Sequence, residues 1–183
     1  MLGASTMATA SARAGSANGP FVFFDLETTG LNPRGDRIIE IAGLRVAARG
    51  EIADRFHRLV RIEGPVPRFI TSITGITDDM LQDQEPIAEA LPRFIDFVGD
   101  LPLVAYNVSF DMGFLSAAAG RLRLKVKNVS VCALQVARRK LPDLANHKLA
   151  TVARHLGVRR DQNHRALEDC EMGLQVFAGL MRI

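Results

Sequence analysis

Apolar positions along the chain alternate between short strand-like runs and longer helical periods. The segment Phe21–Phe24 is a continuous aromatic and β-branched run, which is typical of a strand buried on both faces. Further strands are predicted at residues 37–46, 52–62, 101–106 and 126–131, with a hairpin turn at Gly50-Glu51. Helices are predicted at about residues 77–81, 86–98, 109–120, 132–141, 147–156 and 164–182. This order predicts an α/β fold, a mixed five-stranded sheet with helices on both faces.

The two ends of the chain differ in texture. Residues 1–19 are small and polar and contain no acid, so they are predicted to form a disordered tail, with a transit peptide as the alternative. Residues 20–183 are predicted to form a single domain. A chain of 183 residues with 48% hydrophobic and 23% charged residues fits one globular core. No run of about 18 uncharged apolar residues occurs, so no membrane span is predicted.

Charge and cysteine content limit the function classes. The net charge of +3 permits nucleic-acid binding without deciding it. The short basic runs at 138–140 and 159–160 are either solvated faces or elements that steer a phosphate backbone. Cys132 and Cys170 are far apart and form no C-x-x-C motif, which argues against a disulfide scaffold or a thiolate zinc site. A reducing compartment such as the cytoplasm is therefore expected.

Carboxylates in apolar surroundings are the most informative residues. Asp25 and Glu27 follow the first strand at alternate positions, so they point to the same side with Cα atoms roughly 7 Å apart. Two carboxylates this close need positive charge between them, and Mg²⁺ or Mn²⁺ are the natural candidates. The alternative is a pair of solvated turn acids.

Two further acids lie on predicted helices. Asp111 occupies the first turn of a largely apolar helix, where the helix N-terminus stabilises negative charge, although a plain capping role is the alternative. Asp169 falls inside the apolar arc of the last helix, whereas Glu168 lies on the opposite face. An unpaired carboxylate at position 169 would cost several kcal/mol, on the order of that for buried charged groups. Asp169 therefore requires a counter-ion.

His164 opens the last helix. A neutral imidazole near pH 7 can accept a proton from an attacking water, but a lone histidine is also often a surface or capping residue. Glu40 is a strand acid that either supports the site from behind, lies at the surface or pairs with a partner. His57 is expected to be exposed.

Three segments carry these residues: FVFFDLETTGLNP at 21–33, VAYNVSFDMGFL at 104–115 and HRALEDCEM at 164–172. Together they resemble the DEDDh family of 3′→5′ exonucleases, in particular its proofreading branch, the epsilon subunits of bacterial DNA polymerase III. The connecting segments ITGITDDML and LQVARRKLPDLANHKLATVARHLGV are also similar to that family. The likeness extends from about Pro20 to the end of the chain.

The resemblance implies an RNase H-like fold and a specific site. Two divalent cations, Mg²⁺ or Mn²⁺, would be held by Asp25, Glu27, Asp111 and Asp169, with Asp25 bridging them and His164 as general base. The implied substrate-binding residues are Leu26, Thr28, Thr29, Gly30, Gly75, Ile76, Asn107, Phe110 and His164. Two departures from the family's usual pattern, Tyr106 where histidine is frequent and Ala133 where threonine or serine is frequent, concern substrate fit.

The implied function is hydrolysis of nucleic-acid 3′ ends, with DNA favoured, to release nucleoside 5′-monophosphates. Two alternatives remain open at this point: an oligoribonuclease-like enzyme acting on short RNA, and a non-catalytic nucleic-acid clamp. The chain ends at Ile183, soon after the third motif. This favours a stand-alone exonuclease or one whose partner, such as a DNA polymerase, binds the folded domain.

Overall fold

The computed structural model describes residues 20–159 and 164–183, so the expected tail at 1–19 lies outside the described residues. The five strands are β1 (Phe21–Thr28), β2 (Ile38–Val46), β3 (Ile52–Leu59), β4 (Leu103–Ala105) and β5 (Ser130–Cys132). They form one sheet in the order β3-β2-β1-β4-β5. The pairs β1–β2 and β2–β3 are antiparallel, whereas β1–β4 and β4–β5 are parallel. The prediction of a mixed five-stranded sheet is confirmed.

Seven helices are described: α1 (Arg68–Thr74), α2 (Asp78–Leu81), α3 (Ile87–Val98), α4 (Val108–Arg121), α5 (Ala133–Lys140), α6 (Leu149–His155) and α7 (Ala166–Leu180). Six of them match predicted helices. Helix α1 was not predicted, because Pro65 and Pro67 are residues that usually interrupt regular structure. Pro67 instead occupies the N-cap, where no helical amide is needed, and Gly75 ends the helix with φ 71°. None of the helices in the described part of the chain combines the length and apolarity that crossing a bilayer requires.

Strand β1 is longer than its apolar run. It was predicted to end at Phe24, but it continues through Asp25 and Glu27 to Thr28. The reason is its pairing with β2, in which Asp25 lies opposite Ala42 and Glu27 opposite Glu40. The ladder depends on backbone groups, so polar side chains do not end it. The two acids are therefore held on a central strand.

The alternation of β1 supplies two cores, one on each face of the sheet. Phe24 faces α3, where its ring centroid lies 6.0 Å from that of Phe94. Phe21 and Phe23 face α7, and the Phe21 ring lies 5.7 Å from that of Phe177. These side chains are fully or almost fully buried. Burial of a phenylalanine contributes roughly 1.5–3 kcal/mol, so β1 is stabilised from both sides.

Helix α7 approaches β1 unusually closely at Gly173. A Cβ atom at this position would lie 2.6 Å from both Cε1 and Cζ of Phe23, closer than van der Waals contact permits. One helical turn before Gly173 is Asp169, and two residues after Phe23 on the same strand face is Asp25. The contact therefore sets the separation between the two acids.

Candidate active site

Three carboxylates meet where β1 and the first turn of α7 face each other. Asp25 and Glu27 project from the α7 side of β1, and Asp169 lies in the first turn of that helix. One oxygen from each of Asp25, Glu27 and Asp169 lies within 4.8 Å of the others. Asp169 is buried, with 5% of its surface exposed, whereas Glu168 is exposed, as the helical period predicts.

A fourth carboxylate arrives from the neighbouring strand. Because β4 runs parallel to β1 and ends at Ala105, the following helix α4 begins beside the carboxyl-terminal half of β1. Asp111 in its first turn is buried, and it accepts hydrogen bonds from its own amide and from the amide of Leu26. Its Oδ1 is buried and accepts a hydrogen bond from none of the described residues. Asp111 thus presents an oxygen that still needs a partner.

The four acids repel one another in the metal-free protein. Burial, and then the charges of Asp111 and Glu27, raise the pKa of Asp25 well above its ordinary value. Burial and the neighbouring Asp169 raise the pKa of Glu27 to about 8. Burial also raises the pKa of Asp111 to about 7, although its two backbone hydrogen bonds oppose the shift. Placing four carboxylates here is unfavourable unless positive charge is added.

The donor set fits hard divalent cations. All four groups offer carboxylate oxygens, which Mg²⁺ and Mn²⁺ prefer. Ligand oxygens around one Mg²⁺ lie roughly 3–4 Å apart, and one oxygen from each of Asp25, Glu27 and Asp169 lies within 4.8 Å of the others. The unpartnered Oδ1 of Asp111 offers a further ligand atom. The residues present therefore match the metal site that the sequence predicts.

A shallow pocket of about 190 Å³ opens over these acids. Its lining residues are Asp25, Leu26, Glu27, Tyr106, Asn107, Phe110, Asp111, Leu149, His164 and Asp169. His164 is exposed at this pocket with φ 50°, a left-handed backbone conformation that is uncommon for residues other than glycine. All five predicted catalytic residues thus line one pocket. The predicted substrate-binding residues Leu26, Asn107 and Phe110 line it as well.

Family comparison agrees with this arrangement. Residues 22–177 match the RNase T family, described as exonucleases. The chain belongs to this exonuclease family. The expected RNase H-like fold and family membership are thereby confirmed.

The exonuclease domain has curated relatives that are much longer than itself. It is 38% identical over 166 residues to a DNA polymerase III PolC-type protein of Caldanaerobacter subterraneus, an alignment that covers 91% of this chain and 12% of the relative. It is 41% identical over 153 residues to the PolC-type polymerase of Bacillus subtilis, covering 82% and 11% of the two chains. The chain therefore spans about a tenth of the length of these polymerases.

Solved structures share the fold. Exonuclease X in complex with 5′-overhanging duplex DNA superimposes with a TM-score of 0.69 at 28% identity, covering 88% of this chain and 91% of the other. The exonuclease I of E. coli, bound to single-stranded DNA, gives a TM-score of 0.77 at 20% identity over 86% of this chain and 39% of its own.

The turn after β1 is held by its own hydrogen bonds. The Thr28 hydroxyl donates to the Gly30 carbonyl at 2.6 Å, and the Arg37 amide donates to the Thr29 hydroxyl at 2.9 Å. A Cβ at Gly30 would collide with the carboxylate of Asp36, so a larger residue here would have to displace that side chain. Thr28, Thr29 and Gly30 therefore shape the rim beside the acids, and their contact with substrate stays a prediction.

Gly75 and Ile76 lie away from the pocket of the exonuclease domain. Gly75 forms the left-handed end of α1, and Ile76 is fully buried in a small cluster with Ile39, Val66 and Leu81. Neither is among the residues that line the 190 Å³ pocket. Their expected contact with the terminal base stays a prediction.

Two pocket residues were not assigned to the site from the sequence. Tyr106 was noted only as a departure from the family's usual pattern, and its hydroxyl donates to the His147 carbonyl at 2.7 Å, which ties β4 to the start of α6. Leu149 begins α6 and reaches the pocket because of that connection. Nothing in the local pattern around Leu149 distinguishes it from other core leucines.

Behind the acids, Glu40 on β2 is completely buried and paired with His57 and Arg165, so the expected alternative of a surface position is wrong. Burial alone would raise its pKa, but hydrogen bonds from His57, Arg165 and the Ala166 amide outweigh that effect and lower the pKa to about 2. His57, expected to be exposed, is instead partly buried because its Nε2 lies 2.6 Å from Glu40 Oε1.

Proposed function

We propose that this domain is a divalent-metal-dependent 3′→5′ exonuclease that releases nucleoside 5′-monophosphates from DNA 3′ ends. The single observation that carries the proposal is the convergence of Asp25, Glu27 and Asp169 within 4.8 Å, with the unpartnered oxygen of Asp111 beside them. Membership of the exonuclease family supports the same reaction class.

Two Mg²⁺ or Mn²⁺ ions would be held by the four carboxylates. Asp25 lies close to Glu27, Asp169 and Asp111, so it would hold the ions together with all three. When bound, such ions neutralise the phosphodiester and stabilise the leaving 3′ oxygen. The carboxylates in turn are relieved of the repulsion that raises their pKa values in the metal-free protein.

His164 acts as the general base. Its imidazole is exposed at the mouth of the pocket, where it meets solvent water directly. A neutral imidazole can take the proton of the attacking water and pass it to bulk solvent. Its place beside the buried carboxylates, rather than among them, leaves the ring free to exchange protons.

The terminal nucleotide binds over the same pocket. Phe110 is partly exposed there and packs against Phe114 with ring centroids 5.1 Å apart, so it offers a supported face on which a base can stack. Leu26 and Asn107 line the same pocket and would supply polar contacts to the nucleotide.

DNA is the proposed substrate, and a replicative polymerase the proposed context. Exonuclease X, at 28% identity, was solved with duplex DNA carrying a 5′ overhang, and the PolC-type relatives are DNA polymerases. We place the domain in a reducing compartment such as the cytoplasm, since Cys132 and Cys170 are free.

The proposal is tested with oligonucleotides labelled at either end. Single-stranded DNA, a 3′-mismatched duplex and a short RNA are incubated with the protein in Mg²⁺ or in EDTA. We expect mononucleotides to be released stepwise from the 3′ end of the DNA in Mg²⁺ only, and Asp25→Asn to be inactive. The exposed Asp83→Asn variant is the matched control and should retain full activity. Release from the 5′ end, or full activity in EDTA, would overturn the proposal. Preferential digestion of the RNA would show that RNA, and not DNA, is the substrate.

A further inference from the structure

The N-terminus of α7 is tied to strand β2 by one buried carboxylate. Glu40 Oε2 accepts from the Ala166 amide at 2.9 Å, so it supplies the cap that no side chain next to the helix supplies. The Arg165 guanidinium donates hydrogen bonds to the same carboxylate, with Nη2 2.7 Å from Oε1 and Nε 3.2 Å from both oxygens. His57 adds a third contact at 2.6 Å.

Both catalytic groups on this segment lie beside that anchor. His164 immediately precedes Arg165, and its φ of 50° is a conformation that the surroundings must impose, since a non-glycine residue adopts it at a cost. Asp169 follows one turn into α7, and its amide donates to the Arg165 carbonyl at 2.9 Å as the first bond of the helix. Fixing the backbone at residues 165 and 166 therefore also fixes the positions of His164 and Asp169.

The anchor also has a fixed position relative to the other acids. Glu40 and Glu27 are directly opposite each other in the β1–β2 ladder. Strands β1 and β2 are therefore fixed relative to each other, and the Arg165–Glu40 contact fixes the start of α7 relative to both.

We propose that Glu40 and Arg165 form a positioning clamp that sets His164 and Asp169 relative to the Asp25–Glu27 pair. Neither clamp residue touches substrate or reacting atoms. The role rests on the proposed function, because it assigns geometry to the general base and to one ligand of that mechanism.

The test uses four variants of the full chain: Glu40→Gln, Arg165→Gln, the double variant, and Glu85→Gln as the matched control. Glu85 also lies between two arginines, 3.0 Å from both Arg58 and Arg93, and it is 14% exposed, but it has no contact with α7 in the described structure. Three quantities are measured for each variant: Tm, kcat and KM on 3′-labelled single-stranded DNA, and the Kd for Mn²⁺.

Glu40→Gln keeps the shape of the side chain but weakens its grip on the guanidinium. We expect kcat to fall by about 10-fold to 100-fold, the range typical of residues that orient a metal ligand, with KM changed by less than about twofold. The Kd for Mn²⁺ should rise severalfold. The double variant should be no worse than the more impaired single variant, because the two residues act as one unit. Glu85→Gln should lower Tm by a similar amount and change neither kcat nor Kd.

The clamp is refuted if Glu40→Gln retains the wild-type kcat and Mn²⁺ affinity, or if both change only as much as in a Glu85→Gln variant of equal Tm. Failure of the proposed function would look different: the wild type itself would then hydrolyse no DNA. In that case the Mn²⁺ affinities of the four variants still decide whether the clamp positions Asp169.

Discussion

Replacing Glu27 by glutamine should stabilise the metal-free protein at neutral and alkaline pH while removing most of its response to divalent cations. Glutamine has the same shape but no charge, so the substitution isolates the electrostatic cost of the site. Glu27 suits the test because its pKa is raised by burial and by three neighbouring acids, Asp169, Glu40 and Asp111.

The size of the effect follows from the pKa. The pKa of Glu27 rises from its ordinary 4.5 to about 8 on folding, so the folded state holds the proton more tightly than the unfolded state. The contribution of Glu27 to the free energy of unfolding is therefore fully present below pH 4.5 and is lost as the pH rises toward 8. Each pH unit in this window costs about 1.4 kcal/mol. Between pH 5.5 and pH 7.5 the wild type should lose about 2–3 kcal/mol that Glu27→Gln retains.

The assay is urea unfolding in EDTA at pH 5.5 and pH 7.5, repeated with Mg²⁺. Saturation at a hundred times Kd adds about 2.7 kcal/mol to a protein that binds only when folded, and this gain should be large for the wild type and small for Glu27→Gln. The exposed Glu51→Gln variant serves as the control. Equal pH slopes for wild type and Glu27→Gln in EDTA would show that the charge of Glu27 does not destabilise the fold. Equal stabilisation of both by Mg²⁺ would show that Glu27 does not hold the metal.

Three further predictions concern single residues. His164→Asn should lower kcat by roughly 10²–10⁴-fold with little change in KM, because asparagine tolerates the φ of 50° but supplies no base; a loss confined to KM in steady-state kinetics would contradict the role. Gly173→Ala should cost about 1–3 kcal/mol in urea unfolding, since its Cβ would lie 2.6 Å from Phe23 atoms; unchanged stability would mean that α7 shifts freely. Phe110→Ala should weaken single-stranded DNA binding by about 1–3 kcal/mol, as expected for one lost stacking contact, and should leave Mn²⁺ binding unchanged. DNA affinity is measured by fluorescence anisotropy, and a variant that binds DNA as tightly as the wild type would count against stacking.

Local patterns predicted the residues whose position depends on one element alone. The 3.6-residue period distinguishes buried Asp169 from exposed Glu168, because the broad buried arc of α7, which packs against the sheet and against α5 and α6, leaves position 168 outside it. The alternation of β1 likewise places Asp25 and Glu27 on one side. These assignments need only helix and strand geometry.

Features that join distant parts of the chain were not predictable in this way. Glu40 and Arg165 are 125 positions apart, and nothing in the pattern around either residue indicates the contact. The left-handed backbone conformation of His164 could not be predicted from its residue type, because histidine adopts it far less readily than glycine. Strand β5 was predicted at 126–131 but forms at Ser130–Cys132, because a three-residue edge strand is set by its pairing with β4 rather than by its own alternation.

The number of metal ions that the four carboxylates hold is measured by titrating the protein with Mn²⁺ at pH 7.5, with a nucleoside 5′-monophosphate present, and counting bound ions by calorimetry or electron paramagnetic resonance. We expect two ions per chain for the wild type and for the exposed Asp83→Asn control. One ion is expected for Asp111→Asn, whose side chain lies outside the Asp25, Glu27 and Asp169 group, and none for Asp25→Asn. Saturable binding in Asp25→Asn equal to that of the wild type would contradict this expectation.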